Sequence, residues 1–301
     1  MVWNTGMTTS ADDTQLDKRQ VRRAFDRAAP TYDGAAVLQR EVAARMLARL
    51  DYVKLAPAVV LDAGSGTGHG GELLRRRYPR ALQVALDIAP GMLARARSRA
   101  PWWRRALGGA PRPVCGDLER LPLAAGSVDL AWSNLTLQWC NDLPAAFAGV
   151  QRTLRTGGLF MFTTFGPDTL KELRSALGRA DGYTHVNRFV DMHDIGDLLV
   201  AAGFADPVMD MEFITVTYPA FDALLREIRA IGAHNATRGR RRGLMGKRAW
   251  QAAREHYESL RRDGALPATF EVVYGHAWKP APRRAEDGRA IIRFHAADRR
   301  G

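Results

Sequence analysis

A chain of 301 residues, 46% of them apolar and 25% charged, can bury a large core and is not disordered throughout. Two cysteines, Cys115 and Cys140, exclude a disulfide framework and fit a reducing, cytoplasmic compartment, while no apolar run approaches the roughly 18 residues of a membrane span. The formal net charge of +12 points to an acidic partner (nucleic acid, membrane surface or acidic protein) or to nothing more than a solvated basic surface.

Residues 1–17 lack the basic start and apolar run of a signal peptide and read as a flexible tail. Apolar spacing predicts helices over 19–33, ending near Pro30, and over 41–50. A strand over 58–61 runs into a glycine-rich turn. Helix 71–77, strand 82–86, helix 92–99, strand 111–115, strand 128–132 and helix 143–154 follow. The turn Thr156-Gly157-Gly158 then leads into strand 159–164. Such alternation with short apolar strands calls for a mostly parallel sheet with helices on both faces. After Phe165 the rhythm changes. Leu170, Leu173 and Leu177 lie at helical spacing, a polar loop covers 181–191, and helix 195–202 stops at Gly203. Strand 212–217, helix 221–231, a basic stretch 238–248, helix 250–260 and a last strand 269–277 complete the order. Residues 281–301 are polar, Arg-rich and read as a second flexible tail. The expected organisation is one domain over 18–280, with a cofactor-binding core over 58–165 and lid and docking insertions over 166–265.

The strongest local signal is Val59-Val60-Leu61-Asp62-Ala63-Gly64-Ser65-Gly66-Thr67-Gly68, an apolar strand entering a G-x-G-x-G turn. Glycines there let the backbone approach a ligand, and in open α/β sheets ligands sit at this carboxyl edge. A dinucleotide fingerprint would read G-x-G-x-x-G and place a helix N-terminus against pyrophosphate. Here the third glycine comes one position early, and Asp62 stands before the turn. A carboxylate suits a ligand bearing an ammonium and a sulfonium, which describes S-adenosylmethionine. Asp87, followed by Ile88, ends the second strand at the distance where an acidic residue grips ribose hydroxyls. Asp117 and Leu118 follow the third strand, where a carboxylate can accept from an adenine amino group. Each acid alone is equally a cap or turn residue; together with the glycine turn they favour a nucleoside site.

The stretch from Val59 to Phe165 resembles the class I methyltransferases. Leu154-Arg155-Thr156-Gly157-Gly158 is similar to that family's L-K/R-P-G-G turn, with threonine in place of proline. The resemblance implies a Rossmann-like α/β fold, a seven-stranded mostly parallel sheet with an inserted helical substrate lid. It places Asp62, Gly64, Ser65 and Gly66 at the methionine part, Asp87 and Ile88 at the ribose, and Asp117 and Leu118 at the adenine, with Asn134 also on the cofactor.

A narrower resemblance spans nearly the whole chain. Phe25-Asp26-Arg27-Ala28-Ala29-Pro30-Thr31-Tyr32-Asp33 and Trp132-Ser133-Asn134-Leu135-Thr136-Leu137-Gln138-Trp139-Cys140 look like segments of the malonyl-acyl-carrier-protein O-methyltransferase (BioC) family of biotin synthesis. So do His185-Val186-Asn187-Arg188-Phe189 and Ile231-Gly232-Ala233-His234-Asn235. This implies methyl transfer from S-adenosylmethionine to the free carboxylate of a malonyl thioester on an acyl carrier protein, with neither nucleic acid nor membrane as partner.

A malonyl carboxylate is ionised at neutral pH, so no general base is required. Arg188 is the expected carboxylate holder, because guanidinium binds carboxylates bidentately; its alternative is a surface pair with Asp191 or Asp194. Tyr32 is expected to close over the cofactor, or else to pack at a helix end. Gln138 and Trp139 follow the fourth strand, where substrate meets the methyl group; Trp139 is alternatively a core residue. The dense basic run of Arg238, Arg240, Arg241, Arg242, Lys247 and Arg248 is expected to dock the acidic carrier, or to be an exposed loop. His185, His193 and His234 share no metal-ligand spacing, so no metal site is expected. Two other readings stay open. One is a methyltransferase of RNA or a small molecule, suggested by Trp102, Trp103, Arg104 and Arg105. The other is an S-adenosylmethionine-binding assembly factor or hydroxylase of respiratory complexes, suggested by residues 168–174 and 277–279.

Overall fold

The computed structural model describes residues 14–106, 109–179, 181, 183–241, 243 and 245–282. Among the described residues, α1 (Lys18–Ala28), the single turn α2 (Tyr32–Ala35) and α3 (Val37–Arg49) precede the sheet region. Asp17 caps α1 by accepting the Gln20 N–H at 3.1 Å. The single helix expected over 19–33 is thus two. Pro30 has no N–H to donate back into α1, so the chain breaks there and restarts.

Seven strands form one sheet in the order β3-β2-β1-β4-β5-β7-β6. β1 (Val59–Ala63), β2 (Leu82–Asp87), β3 (Arg112–Cys115), β4 (Val128–Ser133) and β5 (Leu154–Phe165) run parallel. β7 (Leu266–Trp278) lies antiparallel between β5 and β6 (Ala205–Tyr218). The crossovers are α4 (His69–Arg77), α5 (Pro90–Arg99) with the short α6 (Trp102–Ala106), and α7 (Leu143–Thr153). Asp142 starts α7, accepting the Ala145 N–H at 2.9 Å, and Pro144 sits at its first turn. After β5 come α8 (Lys171–Gly178), α9 (Met192–Ala201), α10 (Phe221–Ala230) and α11 (Lys247–Glu258).

Successive strand side chains point to opposite faces and so feed two cores. Val60, Leu130, Trp132 and Met161 meet α3, α4, α8, α10 and α11 through Val42, Leu74, Leu173, Phe221 and Tyr257. Leu61, Ala131, Phe160 and Phe162 meet α7 and α9 through Phe147, Val150, Ile195 and Leu199. Burial on both faces explains why these strands are continuous apolar runs. β6 is longer than the strand expected over 212–217, because it pairs with β7 along its length from Ala205 to Tyr218. As an edge strand it alternates half-buried and exposed residues, which masks its ends in the sequence.

The expected N-terminal tail stops short of residue 17. Leu16 is 6% exposed, packs with Val21 and Ala236, and donates its N–H to Asn141 Oδ1 at 2.7 Å. Asp17 donates its N–H to the Ala236 carbonyl at 2.8 Å. A buried leucine tied at two distant points orders the backbone before α1 begins. Residues 1–13 and 283–301, which hold most of both expected tails, lie outside the described residues. Among the described residues no helix is long and apolar enough to cross a membrane.

Candidate active site

The turn after β1 is built on glycine by necessity. Gly64, Gly66 and Gly68 have φ of 80°, 51° and 88°. A Cβ on Gly64 would lie 2.0 Å from Thr136 Oγ1, so no other residue fits there. The N–H groups of Gly64 and Ser65 both donate to the Leu86 carbonyl, at 2.8 and 2.9 Å, locking the turn to β2. Asp87, at the end of β2, accepts the Gly66 N–H at 2.9 Å on one oxygen and the Ala89 N–H at 2.8 Å on the other.

Asp62 is 5% exposed and its Oδ2 has no hydrogen-bond partner. Burial, then the nearby Asp87 charge, push its carboxyl up to about 7 against the opposing Gly71 N–H. Burial likewise pushes Asp87 up to about 6, resisted by the N–H groups of Ala89 and Gly66. Ser65 Oγ is also buried without a partner. Buried, incompletely paired carboxylates are completed by a cationic, hydrogen-bonding ligand, and the ammonium of S-adenosylmethionine fits that requirement.

Farther along the edge, Asp117 accepts the Glu119 N–H at 3.1 Å and pairs with Lys18 at 3.1 Å; Lys18 also reaches Glu119 at 2.8 Å. Cys140 stands close by. Burial raises its thiol to about 12, so it is protonated and no nucleophile at neutral pH. Asn134 is held at both ends, donating to the Gln39 carbonyl at 3.1 Å and accepting from Thr163 Oγ1 at 2.9 Å. The next residue, Leu135, sits at φ 47°, a left-handed conformation stabilised by its N–H bond to Thr163 Oγ1 at 2.9 Å.

Asp87, Ile88, Asp117, Leu118 and Asn134 line one end of a cavity of about 260 Å³, together with Gly64 and Gly66. Asp62 and Ser65 border an adjoining recess, which shares Tyr32 with the main cavity. Tyr32 is half-buried overall; burial of its hydroxyl, with the charges of Asp87 and Asp33, raises its pKa. The other end of the cavity is apolar, walled by Phe165, Leu173, Val186, Phe189, Ile228 and Phe270. Phe165 packs on Phe189 and on Phe270 with ring centroids 5.7 Å apart in each case. α1 closes one side through Val21 and Phe25, and Phe25 meets Trp139 edge-on at 5.2 Å. Gln138 lines the cavity with its amide engaged, donating to the Leu135 carbonyl at 2.7 Å and accepting from Thr164 at 3.3 Å.

The cofactor-edge candidates of the sequence, with Tyr32, Gln138 and Trp139, therefore converge. Arg188 does not join them. It is exposed and off the cavity, whereas its neighbours Asn187 and Phe189 line it. The expected basic cluster also separates. Arg241 pairs with Asp181 at 3.0 Å, and the same carboxylate takes His185 at 2.6 Å, so this arginine braces the 181–189 segment. Arg240 donates to the Thr237 carbonyl at 2.8 Å, and Lys247 is exposed at the start of α11. Arg242 lies outside the described residues.

Sequence reasoning passed over Thr136, Lys18 and Asn187, whose roles come from distant partners. It also gave no role at the cavity to Arg229 and His234, which line it. Burial holds the His234 imidazole below its usual range, helped by the charges of Arg27, Arg240 and Arg229.

Buried acids at adjacent strand ends of a 3-2-1-4-5-7-6 sheet, around a glycine turn, define a class I S-adenosylmethionine-dependent methyltransferase. Residues 61–162 match the methyltransferase domain family. Malonyl-[acyl-carrier protein] O-methyltransferases of Gallionella capsiferriformans and Nitrosospira multiformis are 61% and 62% identical, over 92% and 89% of this chain and 96% and 91% of theirs. The chain belongs to the malonyl-[acyl-carrier protein] O-methyltransferase family. Solved structures share the fold at low identity. The YcgJ protein of Bacillus subtilis aligns at TM-score 0.55 and 15% identity, over 79% of this chain and 99% of its own. The [4+2]-cyclase SpnF aligns at 0.57 and 19%, over 88% and 98%. A cyclase on this scaffold illustrates that fold alone does not set the reaction.

Proposed function

We propose that the chain methylates the free carboxylate of a malonyl group carried as a thioester on an acyl carrier protein. The product is the malonyl methyl ester that primes pimeloyl synthesis for biotin, made in the cytoplasm. The names of the relatives, matched over most of both chains, support the substrate. The observation that carries the reading is a single cavity joining the acidic nucleoside edge to an apolar chamber, with Arg229 and His234 also in its lining.

In this reading residues 18–280 act as one domain. Asp62 and Ser65 with Gly64 and Gly66 hold the methionine part, Asp87 and Ile88 the ribose, and Asp117 and Leu118 the adenine. Asn134 and Tyr32 border the methyl-transfer point; Gln138 and Trp139 shape the entry to the chamber. When bound, S-adenosylmethionine supplies an electrophilic methyl group on a sulfonium.

The apolar wall of Phe165, Leu173, Val186, Phe189 and Phe270 does the rest by exclusion. A carboxylate stripped of water beside these side chains is a stronger nucleophile than in solution. No base is needed, since the acid is ionised at neutral pH. Alignment within a fixed chamber supplies the remaining advantage. Arg229 and His234 line the cavity, and the charges of Arg27, Arg229 and Arg240, from three separate segments, all act on His234; this basic group suits an acidic carrier delivering a thioester arm.

The test is mass spectrometry of malonyl-carrier incubated with the protein and S-adenosylmethionine. A gain of one methylene mass on the malonyl group, lost when S-adenosylmethionine is omitted, is the expected result. An unmodified carrier would end this reading.

A further inference from the structure

The segment 16–33 is tied to the loop after each of β4, β3, β2 and β1 in turn. The Leu16 N–H reaches Asn141, after β4, at 2.7 Å, and Lys18 reaches Asp117, after β3, at 3.1 Å. Asp26 accepts the Gly91 N–H, at the start of α5 after β2, at 2.8 Å. The last tie is Asp33, which accepts the Thr67 hydroxyl of the glycine turn after β1 at 2.5 Å. Its second oxygen meets Arg99, in the last turn of α5, at 2.6 Å.

Of these ties only the last sits beside a residue placed at the methyl-transfer point. Asp33 follows Tyr32, which lines both the cavity and the recess, and whose ring stands 4.0 Å from the position of a Cβ on Gly66. Yet α2, which carries both residues, is a single turn with no fully buried side chain and no side-chain bond at its cap. One turn of helix is not stable by itself. Tyr32 packs against the small cluster of Ala28, Ala29, Ala89 and Met92. Thr31 donates to the Ala230 carbonyl at 3.0 Å and Arg40 to the Asp33 carbonyl, but neither reaches the glycine turn. That link is left to the Asp33 carboxylate. Burial works against its charge, but the Thr67 hydroxyl and the Arg99 guanidinium outweigh burial and hold the carboxyl below its usual range.

We infer that Asp33 is a positioning residue: bridged between Thr67 of the glycine turn and Arg99 of α5, it holds Tyr32 at the methyl-transfer point. The inference rests on the place given to Tyr32 in the reading above. Asp33 borders the recess, but both its oxygens are taken, so it acts through the residue before it. Arg99 lines neither the cavity nor the recess, and among the described residues it pairs with Asp33 alone.

The test is a pair of double-mutant cycles on kcat for malonyl-carrier, with the full-length protein and saturating S-adenosylmethionine. Tyr32→Ala is expected to lower kcat about a hundredfold, Asp33→Ala about tenfold and Arg99→Gln about threefold. Asp33→Asn keeps an acceptor for Thr67 and is expected to fall between wild type and Asp33→Ala. Once Tyr32 is replaced by alanine, neither Asp33→Ala nor Arg99→Gln is expected to cost more than about a further twofold, because the residue they place is already gone. Losses that multiply would overturn the assignment, since a change that only loosens the fold harms both backgrounds alike. So would wild-type kcat in Asp33→Ala or in Tyr32→Ala. Should Asp33→Ala fail to fold, the cycle on the partly exposed Arg99 decides alone. A wild type that does not methylate would sink the activity reading and this role with it; methylation by the wild type with multiplying losses sinks the role alone.

Discussion

At the nucleoside end of the cavity, two buried carboxylates stand within a web of backbone N–H groups. Asp87 is fixed by Gly66 and Ala89, while Asp62 keeps an oxygen unpaired. At the other end, six phenylalanine, leucine, isoleucine and valine side chains wall an apolar space. The first end carries charge and waits for an opposite one. The second withholds charge, so that an anion arriving there is left reactive. Two regions only a few side chains apart thus use burial in opposite senses. In one it strengthens an electrostatic contact; in the other it strips a nucleophile of solvent.

The largest expected effect breaks the polar end. Gly64→Ala drives a Cβ to within 2.0 Å of Thr136 Oγ1 at a left-handed φ. Affinity for S-adenosylmethionine, by calorimetry, should fall about a hundredfold or more.

Asp62→Asn comes next and sharpens the electrostatic half. Because the Asp62 carboxyl titrates at about 7, the uncomplexed protein increasingly loses the charge that receives an ammonium as the medium is acidified. Wild-type affinity is expected to weaken about tenfold between about pH 8 and about pH 6, and the variant to bind weakly with a flatter profile. Stability runs the other way. A folded pKa above the unfolded carboxylate value means a contribution fully present below about pH 4 and lost as pH rises through about 7. At alkaline pH the ligand-free variant should therefore unfold at a higher temperature than the ligand-free wild type, as calorimetric scans would read.

Reversing charge at the mouth tests the chamber's entrance. Arg27→Glu with Arg229→Glu is expected to raise KM for malonyl-carrier about tenfold at low salt, less as salt increases, and to affect malonyl-pantetheine far less. Equal losses on both substrates would move carrier docking elsewhere. The smallest effect belongs to Arg188, which faces away from the cavity. Arg188→Ala is expected to change kcat/KM less than about threefold. A loss of about tenfold or more would return the carboxylate contact to the arginine.

Much of the polar end was legible in the chain. Val59–Ala63 and Leu82–Asp87 are short strands buried on both faces, so they announce themselves as apolar runs, the first carrying Asp62 as its next-to-last residue and the second ending in Asp87. The turn between β1 and α4 is local, and its glycines are needed where they stand. The apolar end was not legible in this way. Its walls come from α1, β5, α8, the 183–189 segment, α10 and β7, and each contributes only a few side chains. Arg188 was chosen on charge alone, yet it stands exposed while Asn187 and Phe189 on either side of it line the cavity. Leu16 looked like part of a tail because its partners, Asn141 and Ala236, lie more than a hundred residues away.

What the sequence by itself determined is the parallel core, the glycine turn and the acids that edge the nucleoside site. Strand period, turn conformation and charge are properties of neighbouring residues. Only the tertiary structure decided the shape of the chamber, the commitment of Arg241 to Asp181, and the isolation of the buried Asp62 and Asn187 side-chain oxygens. These depend on which distant surfaces meet, and a hydrogen bond that is missing can be recognised only after every element that might have supplied it is in place.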